Sequence, residues 1–274
     1  MSSPIVEYYS KSFCEDTRLE VEAGGNIEWV RTIDVFKRFL PPAPSSIIDF
    51  GGGTGAYALW LLEKGYEVHL VDLVSAHVEA ASKKLGNLET RAKWTATVGD
   101  ARTFGFPDSS VDIILLMGPL YHIQESEERI QALEEAARVL RPGGHLFCTI
   151  ISKFASYLDG LFSGYIRDPE FRQIIEGDLK NSCHSNPTGR PEYFTNAYFQ
   201  HPDELKMELQ KTGFTDIRLV GLEGLLWASN DLETLREDKE AWEASLEFMR
   251  TVESDNSIIG ISPHIMGIGM KPRQ

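Results

Sequence analysis

The segment Asp49-Phe-Gly-Gly-Gly-Thr-Gly55 sets four glycines behind an acid. Glycines there let the backbone turn with positive φ and let a ligand approach without meeting a Cβ. If a helix follows, its first N–H groups are unpaired and suit a carboxylate or phosphate. Asp72, in Val-Asp-Leu, is placed to accept from both hydroxyls of a ribose, and Asp100, in Gly99-Asp100-Ala101, from an adenine amino group. Together these residues suit an adenosine-bearing ligand. Gly51-x-Gly53-x-x-Ala56 also satisfies the dinucleotide fingerprint. Asp49 tilts the choice, because an anion at the loop's entry repels a pyrophosphate but tolerates a sulfonium or amino group. Its plainer alternative is a turn or cap residue.

A second group follows in Met117-Gly-Pro-Leu-Tyr-His122, where Gly118-Pro119 breaks a strand and can display the next side chains in a cleft. His122 is the candidate general base, since an imidazole with its ordinary pKa of about 6.5 removes protons near neutrality. The structural alternative is a cap or a bond to a carbonyl. Tyr121 is placed to position a substrate. Tyr8, Tyr9 and Arg18, with Arg31 as a further candidate, could reach a ligand carboxylate from the N-terminal part. His184 and His201 are either cleft or capping residues. Cys14, Cys148 and Cys183 have neither paired nor metal-ligand spacing, so neither a metal site nor a disulfide framework is expected.

These residues need strands and helices to position them. Residues 26–40 have a helical period through Ile27, Val30, Ile33, Phe36 and Leu40, with Asn26 as cap and Pro41-Pro42 as stop. Ser46–Phe50 reads as a buried strand running into the glycine loop, and 56–64 as a helix closed by Gly65. Strands at 67–71, 94–98, 111–117 and 145–151 alternate with helices at 75–85, capped by Ser75, and 126–140, stopped by Arg141-Pro-Gly-Gly144. Pro202 opens a helix to Lys211 that Gly213 closes. A strand at 215–220, a helix opened by Asn230-x-x-Glu233 and running to about 250, and a strand at 265–270 complete the chain. This alternation predicts an α/β fold with a seven-stranded, mostly parallel sheet and helices on both faces. Residues 153–200 lack a clean period but carry nine aromatics, close to twice the chain's 10%. They must therefore pack on something, and a lid with an acceptor pocket over the open end of the sheet is the expectation. The chain divides into an N-terminal cap (1–40), a core (41–152), this insertion (153–200) and the C-terminal part of the sheet (201–274).

The net charge of −14 and the lack of a Lys/Arg run argue against nucleic acid as substrate. No apolar stretch spans a membrane and the N-terminus lacks a signal-peptide pattern, so a cytoplasmic protein is expected.

In order, Asp49-x-Gly51-x-Gly53-x-Gly55, Asp72, Gly99-Asp100, Asp112–Met117 and Leu140-Arg-Pro-Gly-Gly144 resemble the successive motifs of class I, Rossmann-like S-adenosylmethionine (SAM) dependent methyltransferases. The resemblance covers roughly 47–151 and implies an antiparallel last strand. It also implies SAM binding by Asp49, Gly51, Gly53, Gly55, Asp72, Leu73, Asp100 and Ala101, with Met117 and Gly118 bordering the methyl group and the entrance. Tyr9 and Arg18 are expected to complete the cofactor site, and Tyr121 and His122 the reactive end. The implied activity is methyl transfer to a small molecule at O, N or C. An NAD-dependent oxidoreductase and a non-catalytic SAM-binding module stay open as alternatives.

Overall fold

The computed structural model describes residues 8–9, 27–229 and 231–273. Strands form at the predicted places: β1 (Ser46–Phe50), β2 (Glu67–Asp72), β3 (Trp94–Val98), β4 (Val111–Leu116) and β5 (Leu140–Ile151). They pair in parallel in the order β3-β2-β1-β4-β5. β8 (Thr215–Gly221) and β9 (His264–Met270) complete a seven-stranded sheet, with β9 antiparallel between β5 and β8. The short pair β6 (Cys183–His184) and β7 (Ala197–Tyr198) stands apart. β1 is thus central, and the chain leaves it first toward β2 and later returns on its other side as β4. That reversal opens a crevice beyond the carboxyl ends of β1 and β4, where α/β sheets hold ligands.

Alternation along the strands divides the core between two faces. On one face, Ile47, Leu70, Ile113, Leu115 and Met266 pack against α1 (Ile27–Phe39), α2 (Ala56–Glu63) and α3 (Ser75–Gly86). On the other, Ile48, Phe50, Ile114, Leu116 and Cys148 meet α5 (Ser126–Val139) and α8 (Pro202–Lys211). A four-residue helix, α4 (Pro119–His122), lies between β4 and α5. Phe36 of α1 is 1% exposed and meets Tyr57 and Phe147 edge-on, a burial worth about 1.5–3 kcal/mol. Arg31 holds the other side of α1: fully buried, it donates to the Leu222 carbonyl at 3.1 Å, to Asp34 at 2.7 Å and to Glu253. It therefore turns away from the crevice, contrary to the expectation that it reaches a ligand.

Gly65 and Gly213 have φ of 87° and 86°, as helix-closing glycines require. Ser75 is the first residue of α3 rather than its cap; the Val74 N–H before it donates to Asp72 at 2.8 Å. β5 begins at Leu140, five residues before its predicted start, because Val111 pairs with Leu140 ahead of a register shift. The predicted helix to about 250 is two, α9 (Leu232–Glu237) and α10 (Lys239–Val252), broken at Asp238, whose carboxylate accepts from the Ala241 N–H at 3.1 Å. Asn230, the expected cap, lies outside the described residues.

The aromatic segment is folded rather than irregular. It holds α6 (Ala155–Phe162), α7 (Pro169–Asn181) and the β6–β7 pair. Asp168 caps α7 by accepting from the Glu170 N–H at 2.8 Å, with Pro169 in the first helical position. Phe171, Ile174, Ile175 and Tyr193 form its own small core, and Ala197 and Phe199 dock on Tyr121 and Ile151. Buried Arg129 of α5 secures it, bonding Glu208 at 3.0 Å and lying 3.9 Å over the Tyr198 ring. Among the described residues, no helix is long and apolar enough to cross a membrane.

Candidate functional site

A cavity of about 480 Å³ lies at the carboxyl ends of β1, β2, β3 and β4. The glycine loop forms its floor, and Gly51, Gly53 and Gly55 have φ of 74°, 54° and 88°. A Cβ on Gly51 would stand 2.8 Å from Pro119 Cδ, so the loop and the start of α4 are packed without room for a side chain. Gly51 and Gly53 line the cavity; Gly55 does not, and faces Ala81 of α3 instead. The start of α2 has no side-chain cap, which leaves its first N–H groups turned to the crevice for an anionic group.

Asp72 is 7% exposed and lines the wall. Its Oδ2 accepts from the Gly53 N–H at 2.9 Å and its Oδ1 from the Val74 N–H at 2.8 Å, with His77 Nδ1 at 3.3 Å. The acid therefore braces the glycine loop as well as facing the cavity. Asp49 does not reach the cavity. It is fully buried behind the loop, neither oxygen has a hydrogen-bond partner, and a Cβ on Gly52 would lie 2.7 Å from its Oδ2. Burial, with the Asp72 charge adding to it, pushes the Asp49 pKa up to about 7.

Leu73, Asp100 and Ala101 stand on the wall as expected. Asp100 is not free for an incoming amine: Arg102 grips both its oxygens, at 3.0 and 2.6 Å, and holds its carboxyl below the usual range. The same guanidinium bonds Glu128 of α5 at 2.9 Å. Arg102, Glu128 and His77 all line the cavity and were not anticipated. Arg102 was legible two residues past Asp100; Glu128 and His77 arrive from other helices.

Met117, Gly118, Tyr121 and His122 line the same cavity. Tyr9 closes over them, its hydroxyl 2.9 Å from His122 Nε2. Its ring also lies edge-on to His77, and Tyr8 bonds the Pro191 carbonyl at 3.2 Å. Phe194, at φ 64°, stacks on the His122 ring. Burial lowers the His122 pKa to about 4, partly offset by the Asn196 backbone and the Asp72 charge. The imidazole is thus neutral near pH 7 and a weaker base than its ordinary pKa implies. No residue of 153–200 lines the cavity. The expected acceptor pocket of aromatics is instead a wall behind Tyr121 and His122. Arg18 lies outside the described residues, as does Cys14.

His184 and His201 are held by local partners. His184 is buried between Asp178 and the Tyr193 carbonyl, both at 2.9 Å, and His201 caps α8 in a reciprocal capping box. Burial pushes the Cys148 thiol up, and Cys183 is exposed. Ligand atoms of Glu28, Glu223 and His264 lie within 4.8 Å of one another at the same edge of the sheet, where Glu223 accepts from Ser262 and from the His264 N–H, both at 2.9 Å.

Residues 47–144, which supply the cavity's floor and most of its walls, match a family model described as a methyltransferase domain. The sheet order with its one reversed strand agrees. Residues 47–144 thus form a methyltransferase domain, on the fold of class I SAM-dependent methyltransferases. A curated relative of this methyltransferase is the ubiquinone/menaquinone biosynthesis C-methyltransferase UbiE of Rickettsia bellii, 28% identical over 202 residues, spanning 70% of this chain and 77% of that one. Among solved structures, a SAM-dependent methyltransferase of Methanosarcina mazei superposes with a TM-score of 0.59 at 19% identity, over 88% of this chain and 98% of that one. A phosphoethanolamine N-methyltransferase of Haemonchus contortus, solved with phosphomonomethylethanolamine and S-adenosylhomocysteine, gives 0.55 at 21% identity, over 89% of this chain and 53% of its own. The residues present fit SAM as the cofactor of such a domain. The glycine loop leaves space that side chains would fill, two acids stand at the wall, and an unpartnered carboxyl lies beneath the loop, a poor setting for a pyrophosphate.

Proposed function

We propose that this methyltransferase transfers the methyl group of SAM to a small-molecule acceptor, with carbon as the accepting atom. One observation carries the reading: a single cavity is lined both by the Gly51–Gly53 loop and Asp72 and by Tyr9, Tyr121 and His122. Carbon as acceptor is supported by the curated relative, a C-methyltransferase. The aromatic and thioether lining of the cavity, Tyr9, Tyr57, Met117 and Tyr121, suits an apolar ring or chain. The strongly acidic chain favours such a molecule over nucleic acid.

When bound, the cofactor supplies an electrophilic methyl group on a good leaving sulfur. The chain's work is then to align and to exclude water. In this reading the loop and the start of α2 take the methionine end, Asp72 takes the ribose, and Asp100 with Ala101 and Leu73 flanks the adenine. Met117 and Gly118 border the methyl group, and Tyr121 orients the acceptor. His122, neutral and bonded to the Tyr9 hydroxyl, receives the proton that the acceptor loses. An N-cap role for His122 has no support, since Glu125 stands at the N-cap of α5.

Calorimetric titration with SAM, S-adenosylhomocysteine and NAD tests the cofactor. Incubation with labelled SAM and a panel of phenolic, quinol and amine acceptors tests the rest. The reading expects SAM and its product to bind, NAD not to bind, and label to enter carbon. Label in amines alone would reject carbon as the acceptor atom. Tight SAM binding without transfer to any acceptor would favour a non-catalytic binding module.

A further inference from the structure

Asp49 makes none of the cofactor contacts in the proposed reading. Its position on the α2 side of β1 puts its carboxyl directly beneath Gly52, beside Leu70 and without a hydrogen-bond partner among the described residues. A buried carboxyl without a partner is tolerated only in its neutral form, or when a cation arrives to stabilise the anion. Gly52, whose missing Cβ gives the carboxyl its room, lines the cavity on its upper face. The nearest source of compensating charge is therefore the ligand in that cavity. SAM carries an ammonium, a sulfonium and a carboxylate, for a net charge of about +1, whereas its demethylated product has lost the sulfonium charge and is neutral overall.

Resting on the SAM reading above, we propose that Asp49 senses the cofactor's charge. It is protonated in the empty site, ionises as SAM binds, and takes a proton back once methyl transfer has removed the positive charge. The balance is simple: one proton leaves the Asp49 carboxyl for solvent on SAM binding, and one returns from solvent at the product stage, so no net proton is consumed. The consequence is a preference for SAM over product that strengthens as pH rises, which helps to clear a product that otherwise competes for the same cavity.

The groups around Asp49 leave this assignment distinct. Asp72 on β2 is the charged group that acts on it, and disfavours its ionisation. His77 on α3 and His122 on α4 face Asp72, and His122 stays neutral throughout the range used below. Leu70 and the loop glycine contribute no charge.

The test is isothermal calorimetry of the full chain with SAM, with S-adenosylhomocysteine and with sinefungin, an analogue bearing an amine in place of the sulfonium. Titrations at pH 6 and pH 8.5, each in buffers of different ionisation enthalpy, count the protons released. Expected at pH 6 is release of roughly one proton with SAM and with sinefungin but far less with the product. Expected also is a SAM-over-product affinity ratio that rises roughly tenfold by pH 8.5. In Asp49→Asn the release and the pH dependence of the ratio both vanish. The ligand comparison needs no variant, so a poorly folding Asp49→Asn leaves the proposal testable. Equal proton release with all three ligands, no release at all, or release that persists in Asp49→Asn overturns it while leaving SAM binding intact. Failure of SAM and product to bind overturns both this proposal and the cofactor reading.

Discussion

Replacing Asp72 by alanine separates two roles that the carboxylate combines. Its oxygens accept from the Gly53 and Val74 N–H groups at 2.9 and 2.8 Å in a buried setting. A hydrogen bond to a charged acceptor contributes about 1.5–3 kcal/mol, and a buried donor left without one bears the desolvation cost. Two such bonds give about 3–6 kcal/mol. Water entering from the adjoining cavity replaces part of this, and Asp49 is relieved of a repelling neighbour, so a loss of about 2–4 kcal/mol is expected. For a chain of this size that lowers Tm by roughly 5–10 °C. The ribose contact adds a second, separable effect, a loss of about 1–3 kcal/mol in SAM binding, or roughly 5- to 150-fold in Kd. Thermal unfolding followed by circular dichroism measures the first, and calorimetry well below the new Tm measures the second. A variant that melts within about 2 °C of the parent refutes the brace. A folded variant with unaltered SAM affinity refutes the ribose contact.

Two further substitutions probe the cavity. Gly51→Ala forces a side chain into φ 74° and 2.8 Å from Pro119 Cδ; left-handed backbone alone costs about 1–2 kcal/mol, so SAM affinity and Tm should both fall, and parental values in both would remove the loop packing from the account. His122→Ala should cut turnover by roughly a hundredfold while SAM Kd moves by less than about threefold, as read by single-turnover assay and calorimetry. Because burial lowers the His122 pKa to about 4, the unfolded chain binds the extra proton between about 6.5 and 4. Stability contributed by its neutral form is present above that window and lost as pH falls through it. His122→Ala should flatten this part of the pH–stability curve, and an unchanged slope would contradict the lowered pKa.

What the sequence determined was local or periodic. Strand positions, the run from Ser46–Phe50 into glycines, the helix stops at Gly65 and Gly213, and the placement of Asp72, Asp100 and Tyr121 on one crevice all follow from patterning read along the chain. Asp168-Pro169 held the signal for α7, obscured because the aromatics around it follow no helical period. Only the tertiary structure decided the charge environment. Asp49 and His122 look ordinary in sequence, and burial is what moves one up to about 7 and the other down to about 4. It also decided the partners: Tyr9 meets His122 across 113 positions, and Glu128 reaches Arg102 from α5. Periodicity reports which face of an element is buried, whereas desolvation and pairing depend on what other elements bring to that face.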